Sequence, residues 1–157
     1  MLQLGAREPT VAWNRKSTSR SKFNAGLHTV MCTPAWKDGH IYGVCGAGEL
    51  RCLNAATGDR LWETNVVTAP DKGPFPNAFL VEHEGRFLLW NDQGELILAK
   101  LSPKGYEEIS RAKLLDTTES SRGREVVWCH PAFANRCIFV RNGRELLCAT
   151  LAAETRG

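Results

Sequence analysis

Three stretches of the chain share one pattern of apolar and polar positions, in which two short alternating segments flank a turn rich in Gly and Asn. The stretches are GHIYGVCGAGELRCLN from Gly39, GRFLLWNDQGELILAK from Gly85 and NRCIFVRNGRELLCAT from Asn135. Alternation with a period of two predicts half-buried β-strands, and Gly or Asn in the turn tolerates the positive φ angles that tight hairpins need. Each stretch therefore predicts a β-hairpin.

The three hairpins are copies of one repeat. A Glu-Leu pair follows each turn in the same register, and the leucines of these pairs, Leu50, Leu96 and Leu146, are separated by 46 and 50 residues. This spacing is typical of one blade of a β-propeller, which is a four-stranded antiparallel sheet. A further strand precedes the first hairpin in CTPAWKDG and the third in CHPAFANR, whereas the second copy has NAFLVEHEG without the proline. No segment shows sustained helical periodicity, so the sequence predicts an all-β fold.

These patterns predict a partial β-propeller of about three four-stranded antiparallel blades. We assign residues 27–66 to blade one, 77–115 to blade two and 126–152 to blade three, which ends at its third strand. Residues 1–26 are interpreted as a strand at 9–14 followed by a basic linker. That strand is similar to the outer strand of a preceding blade.

A fragment of this kind has unpaired edges, which favour self-association because they expose backbone N–H and C=O groups. One hypothesis is that two copies close a ring of about six blades, with Thr10–Trp13 of one chain beside Glu145–Thr150 of the other. We interpret the chain instead as the C-terminal part of a larger propeller, and an open three-blade fragment is the remaining alternative.

Composition excludes several classes of function. The 157 residues, of which 43% are hydrophobic, are enough for one core, and the net charge of +3 is spread along the chain, so no nucleic-acid surface is expected. The basic stretch NRKSTSRSK is rich in Ser and is interpreted as a solvated linker rather than a phosphate-binding arm. No apolar run is long enough for a membrane span, and the sequence as written has no signal peptide.

The titratable residues match no known catalytic or metal-binding motif, so neither kind of site is expected. The six cysteines lack metal-ligand spacing and mostly lie within apolar alternation. They are interpreted as reduced, buried apolar side chains, with disulfide and metal roles as the alternatives. His130 is placed on the innermost strand of blade three, where it cannot form a dyad with Cys129 by adjacency alone, because consecutive strand residues face opposite sides.

The stretch DGHIYGVCGAGELRCLNAATGDRLWET resembles the repeat of pyrroloquinoline-quinone-like (PQQ-like) β-propellers. In that family a blade reads Asp-Gly, a Tyr-rich strand, Gly, a Leu-rich strand, an Asp-x-x-Thr-Gly turn and then Trp. The residues that match this pattern are Asp38, Gly39, Gly48, Asn54, Thr57, Gly58 and Trp62, and the second copy retains Gly85 and Gly94. Asn54 replaces the usual Asp and can still cap the turn through its side chain. Blades two and three lack the turn and the Trp, and have LAKLSPKGYEEI and CATLAAETRG instead.

Trp62 follows the only complete turn of this kind in the sequence. We expect its ring to lie across the gap between blades one and two, where it buries apolar area beside an outer strand. A ring that stacks on a cofactor is the functional alternative.

The resemblance implies a fold more specifically than an activity. It extends to the last blades of uncharacterised bacterial propeller proteins, which are usually exported to the periplasm or the extracellular space. The first implied function is a noncatalytic binding or scaffold module with a protein or peptide partner, like the propeller lipoprotein that assists outer-membrane barrel assembly.

Two enzymatic alternatives remain. The first is part of a quinoprotein dehydrogenase, which would need PQQ, calcium and a cluster of carboxylates. Asp38, Asp92 and Asp116 fall in separate turns or linkers, so no cofactor is expected outside this alternative. The second is a hydrolase built from His and Ser, for which the sequence offers no motif.

Overall fold

A computed structural model describes residues 2–3, 10–14, 26–68 and 75–152. Within these residues the chain forms fifteen β-strands and no α-helix, so the predicted all-β fold is confirmed. The described part of the chain accordingly has no helix that could span a membrane.

A short antiparallel pair lies near the N-terminus. It consists of β1 (Leu2–Gln3) and β2 (Thr10–Val11). The sequence predicts a longer strand at 9–14, but residues 12–14 are not in strand conformation and residue 9 lies outside the described residues. β2 pairs with β1 and not with a strand of a larger sheet.

Trp13 anchors this N-terminal segment on the first large sheet. Its indole Nε1 donates to the carbonyl of Ala55 at 2.8 Å. Its ring lies over Gly58 so closely that a Cβ at that position would be 2.7 Å from the ring. The segment is therefore held by its own chain.

The first large sheet, sheet I, is a four-stranded antiparallel meander in chain order. Its strands are β3 (Ala35–Lys37), β4 (His40–Val44), β5 (Leu50–Asn54) and β6 (Arg60–Thr64). The ladder between β5 and β6 changes register between Cys52 and Leu53, so the outer strand β6 is irregular.

Sheet II repeats this meander with longer strands. Its strands are β7 (Ala78–His83), β8 (Arg86–Asn91), β9 (Glu95–Ser102) and β10 (Gly105–Lys113). The ladder between β9 and β10 contains a bulge between Glu108 and Ser110.

Sheet III has three strands and follows a hairpin that the sequence does not predict. The hairpin comprises β11 (Glu119–Ser121) and β12 (Arg124–Val126), and sheet III comprises β13 (Ala132–Ala134), β14 (Cys137–Arg141) and β15 (Leu146–Thr150). The placement of His130 on the innermost strand is wrong, because β13 begins two residues later. Pro131 explains the late start, since proline cannot donate to a ladder.

The three sheets pack face to face in chain order. One core cluster joins Tyr42 of sheet I to Phe87 and Ile97 of sheet II. A second cluster joins Trp90 of sheet II to Ile138 of sheet III. Antiparallel meanders stacked in this way have the arrangement of propeller blades, so the prediction of a partial β-propeller is confirmed.

Glycines at equivalent turns let the connecting segments cross the sheets closely. Gly94, between β8 and β9, has a φ of 76°, and its carbonyl accepts the N–H of Leu114 at 2.9 Å. A Cβ on Gly94 would lie 2.1 Å from the carbonyl oxygen of Leu115. Gly48 is equivalent in sheet I, where its carbonyl accepts the hydroxyl of Thr68 at 2.8 Å. Glycine is therefore required at this repeated position both for the positive φ angle and because the neighbouring segment leaves no room for a Cβ.

The cysteines lie on or beside sheets I and III, and none lies on a strand of sheet II. Cys32 and Cys52 belong to the core between sheets I and II, whereas Cys148 is exposed on sheet III. Burial raises the pKa of the Cys32 thiol to about 11, so this thiol is protonated and unreactive at neutral pH. The reduced state of the cysteines in solution stays a prediction.

We predict that Gly94→Ala destabilises the fold far more than Gly123→Ala. Both glycines have positive φ, but a Cβ at Gly123 would meet nothing within 4 Å. Gly123→Ala should cost about 1 kcal/mol from conformation alone, whereas Gly94→Ala should cost at least about 3 kcal/mol because the backbone of Leu115 must move. Urea unfolding of both variants measures the difference, and equal losses would contradict the contact at Gly94.

Candidate functional site

The motif residues of the β5–β6 turn bond to one another. The Oδ1 of Asn54 accepts the N–H of Ala56 at 2.8 Å and of Thr57 at 3.2 Å, and the hydroxyl of Thr57 accepts the N–H of Asp59 at 3.2 Å. Gly58 has a φ of 74°, which glycine tolerates without strain. These contacts form an Asx turn, a local backbone structure.

The other motif residues lie in hairpin turns. Asp38 and Gly39 connect β3 to β4, and Gly85 lies in the equivalent turn between β7 and β8. The N–H of Ala55 donates to the carbonyl of Gly39 at 2.9 Å, so the β3–β4 and β5–β6 turns lie side by side. Gly48 belongs to the β4–β5 turn, so the motif residues do not converge on one site.

Trp62 on β6 fills the space between the outer halves of sheets I and II. Its half-buried ring packs against the core beside Tyr106 and lies 6.1 Å from the ring of Tyr42. Its Nε1 donates to the carbonyl of Ser102 at 2.8 Å. The indole therefore links the outer strand of sheet I to the β9–β10 turn of sheet II.

The equivalent position in sheet II is Ser110. Trp62 pairs with Cys52, two residues beyond Leu50, and Ser110 pairs with Leu98, two residues beyond Leu96. Sheet II thus presents a hydroxymethyl group towards sheet III where sheet I presents an indole towards sheet II.

Between sheets II and III, where Ser110 takes the place of a Trp, lies a groove of about 830 Å³. Its wall on sheet II includes Leu88, Leu98 and Ser110, and its wall on sheet III includes Phe133 and Leu151. Leucine and phenylalanine side chains in a concave surface favour an apolar or aromatic side chain as the ligand. The groove between sheets II and III, defined by these residues, is the candidate functional site.

Charged residues surround the apolar wall of the groove. Arg86 is the first residue of β8, Arg136 lies in the β13–β14 turn, and both line the groove. Neither arginine forms an ion pair within the described part of the chain. Glu82 and Glu84 also line the groove, and Glu82 is 3.7 Å from Lys37 of sheet I.

An ion-pair network holds β10 in position beside the groove. Arg111 donates to Glu95 at 2.9 Å, to Glu108 at 2.9 Å and to the carbonyl of Val66 at 2.9 Å. The hydrogen bond from Arg111 lowers the pKa of the Glu108 carboxyl from its ordinary value, so this carboxyl is ionised at neutral pH. Arg111 itself lines the groove, so the network fixes part of the groove wall.

The three carboxylates considered for a quinone site do not form one set of ligands. Asp92 is buried, with its Oδ2 3.0 Å from Arg124, and accepts the N–H of Asn77 at 2.9 Å. Burial raises the pKa of Asp92, although Arg124 opposes this shift. Asp38 and Asp116 are exposed in the β3–β4 turn and in the segment after sheet II. No group of three or more potential metal-ligating side chains lies together in the residues that the structure describes.

Sequence reasoning predicts the gap between sheets I and II and its Trp, but not the groove between sheets II and III. The available signal is the absence of the turn and the Trp from the second copy. That absence does not show which residue faces sheet III, because the bulge in β10 shifts the register by one residue.

Among solved structures, several chains have a similar fold. No protein-family model matches the sequence, and no curated protein matches it. The crystal structure of BamB from Moraxella catarrhalis is similar to 70% of this chain, with a TM-score of 0.44 and 15% sequence identity. The matched region spans 28% of that chain.

We predict that Trp62→Ala destabilises the fold by about 2 to 4 kcal/mol, through lost burial and the lost hydrogen bond to Ser102. Trp36→Ala is the matched control, because Trp36 lies on the same sheet but is 67% exposed, and should cost less than about 0.5 kcal/mol. Denaturant unfolding measures both changes. Similar small losses in the two variants would mean that Trp62 does not join the sheets.

Proposed function

We propose that this protein is a noncatalytic β-propeller binding module, and that it holds a segment of a partner protein in the groove between sheets II and III. The observation that supports this proposal is the open groove at the position where Trp62 fills the interface between sheets I and II. In the first inter-sheet space the protein's own Trp62 occupies this position, and the equivalent position in the second space would accept an aromatic side chain from a partner.

The chemistry of the groove favours an aromatic anchor flanked by acidic residues. Leu88, Leu98 and Phe133 provide the apolar contact that an aromatic ring needs to leave water. Arg86 and Arg136, which line the groove, would form charge-assisted hydrogen bonds with carboxylates on the same partner segment.

Export of the full-length protein and the absence of a cofactor belong to the same proposal. The resemblance to exported bacterial propellers supports the first. The ion pair of Asp92 with Arg124 supports the second, because a carboxylate already paired with an arginine is a poor calcium ligand.

We predict that Ser110→Trp blocks partner binding. A Trp at this position would occupy the groove as Trp62 occupies the first interface. Aromatic peptides selected from a displayed library against the unmodified protein should bind the variant at least about tenfold more weakly by fluorescence polarisation.

Ser120→Trp is the matched control, because Ser120 is an exposed strand residue on β11 that does not line the groove. This variant should bind the selected peptides as the unmodified protein does. Equal binding by the Ser110→Trp variant, or failure of the selection to enrich aromatic residues, would contradict the proposed site.

We also predict that addition of PQQ and calcium to the purified protein produces no alcohol-dependent reduction of an electron-acceptor dye. A known quinoprotein dehydrogenase, reconstituted in parallel, shows that the reagents are active. Dye reduction by this chain above the rate of the protein-free mixture would support the dehydrogenase alternative and overturn the noncatalytic proposal.

A further inference from the structure

Within the described residues, the outer side of β15 is an open sheet edge. In sheets I and II a fourth strand, β6 or β10, pairs with the strand equivalent to β15, but no described strand pairs with β15 on the side opposite β14. The N–H of Leu151 donates to the carbonyl of Arg136 at 2.7 Å, which fixes the phase of the ladder. Because antiparallel partners alternate, the N–H and C=O groups of Leu146, Cys148 and Thr150 point to the open side.

This edge lacks the features that protect the edges of the other two sheets. The outer strands β6 (RLWET) and β10 (GYEEISRAK) contain charged residues, and the ladder of each has a register shift. Both features discourage pairing with another strand. The sequence of β15 is LLCAT, without a charge, and its ladder with β14 is regular.

The side chain that a fourth strand would cover is already identifiable. Leu101 on β9 pairs with Tyr106 on β10 and is only 4% exposed. The equivalent residue of sheet III is Leu151, which lies five residues beyond Leu146 just as Leu101 lies five beyond Leu96. Leu151 is 38% exposed and lines the groove.

We infer that β15 accepts an extended segment of a partner protein as the antiparallel fourth strand of sheet III, with an aromatic residue over Leu151 and acidic residues beside it. This inference rests on the proposed function and specifies how the partner is held. The occupant follows from β10, in which Tyr106 covers the equivalent leucine and is followed by Glu107 and Glu108. Arg136 is the backbone partner of Leu151 and also lines the groove, so its guanidinium would lie near an acidic side chain of such a segment.

A second copy of the chain is a less suitable occupant. Its N-terminal strand β2 pairs with β1, and the adjoining Trp13 is bonded to Ala55 of the same chain. Its own outer strands β6 and β10 already pair with β5 and β9, and a register shift interrupts each ladder. A dimer joined through two β15 edges is therefore the outcome of the test that would overturn the inference.

The test uses a synthetic peptide with the sequence of residues 105–113, GYEEISRAK, and the full chain. Two further peptides carry N-methyl groups at alternate residues, one in each phase. An added strand donates only every second N–H to its neighbour, so one phase should bind at least about tenfold more weakly than the parent peptide and the other should bind nearly as well.

Leu151→Asp should weaken binding of the parent peptide at least about tenfold. Leu61→Asp on β6, where the leucine is 44% exposed, is the matched control and should leave binding unchanged. Light scattering without peptide should give a monomer. No binding of the parent peptide, or a dimer that Leu151→Asp dissociates, would overturn the inference.

The outcomes separate this inference from the proposed function. If both N-methylated peptides bind equally and Ser110→Trp still weakens binding of the library-selected peptides, the groove binds a partner without strand addition, and only the inference fails. If Ser110→Trp has no effect on library-selected peptides, the proposed groove itself fails.

Discussion

Each sheet of this chain can bury an apolar face only against the next sheet, and the rest of the structure depends on this packing. Between sheets I and II the contact extends to the outer strands, because Trp62 packs between the sheets and donates a hydrogen bond to the carbonyl of Ser102. Between sheets II and III the contact is made by inner residues such as Trp90 and Ile138. The outer half stays open because Ser110 replaces the Trp and sheet III has no fourth strand among the described residues.

The groove and the open edge are two consequences of the same incomplete sheet. A sheet with an exposed, regular and uncharged edge is a template for another strand. In β15 this edge lies beside the apolar wall that contains Leu98 and Leu151. Backbone pairing supplies affinity that is independent of sequence, and a pocket for alternate side chains supplies specificity. A binding module needs both affinity and specificity, and in this protein the open edge of β15 and the apolar groove lie side by side.

Much of the fold is predictable from local patterns, because the repeated hairpins carry their own turn chemistry. Gly48 and Gly94 recur in one register, and the structure places both where a connecting segment crosses the turn. The β11–β12 hairpin is not predictable in the same way, since ESSRGREV has little apolar alternation. Its position depends on the buried pair of Arg124 with Asp92, a contact between residues far apart in the sequence.

The candidate site is less predictable than the fold for a related reason. The groove exists because the interface between sheets II and III differs from the interface between sheets I and II. Predicting it therefore requires the register of every strand that borders it. The bulge between Glu108 and Ser110 decides which residues of β10 face sheet III, and no residue type in GYEEISRAK specifies a bulge at that point. The second copy lacks the turn and the Trp, which indicates that its interface with sheet III differs from the first interface. It does not indicate which residues face sheet III instead.

Amide hydrogen exchange of the full-length chain, resolved by residue with NMR, tests most directly whether β15 is an open edge. The N–H groups of Leu147 and Ala149 face β14 and should exchange slowly, whereas those of Leu146, Cys148 and Thr150 should exchange rapidly. An alternating pattern along β15 is the predicted result. Uniform slow exchange along the strand would mean that its outer side is already paired, and would contradict the account.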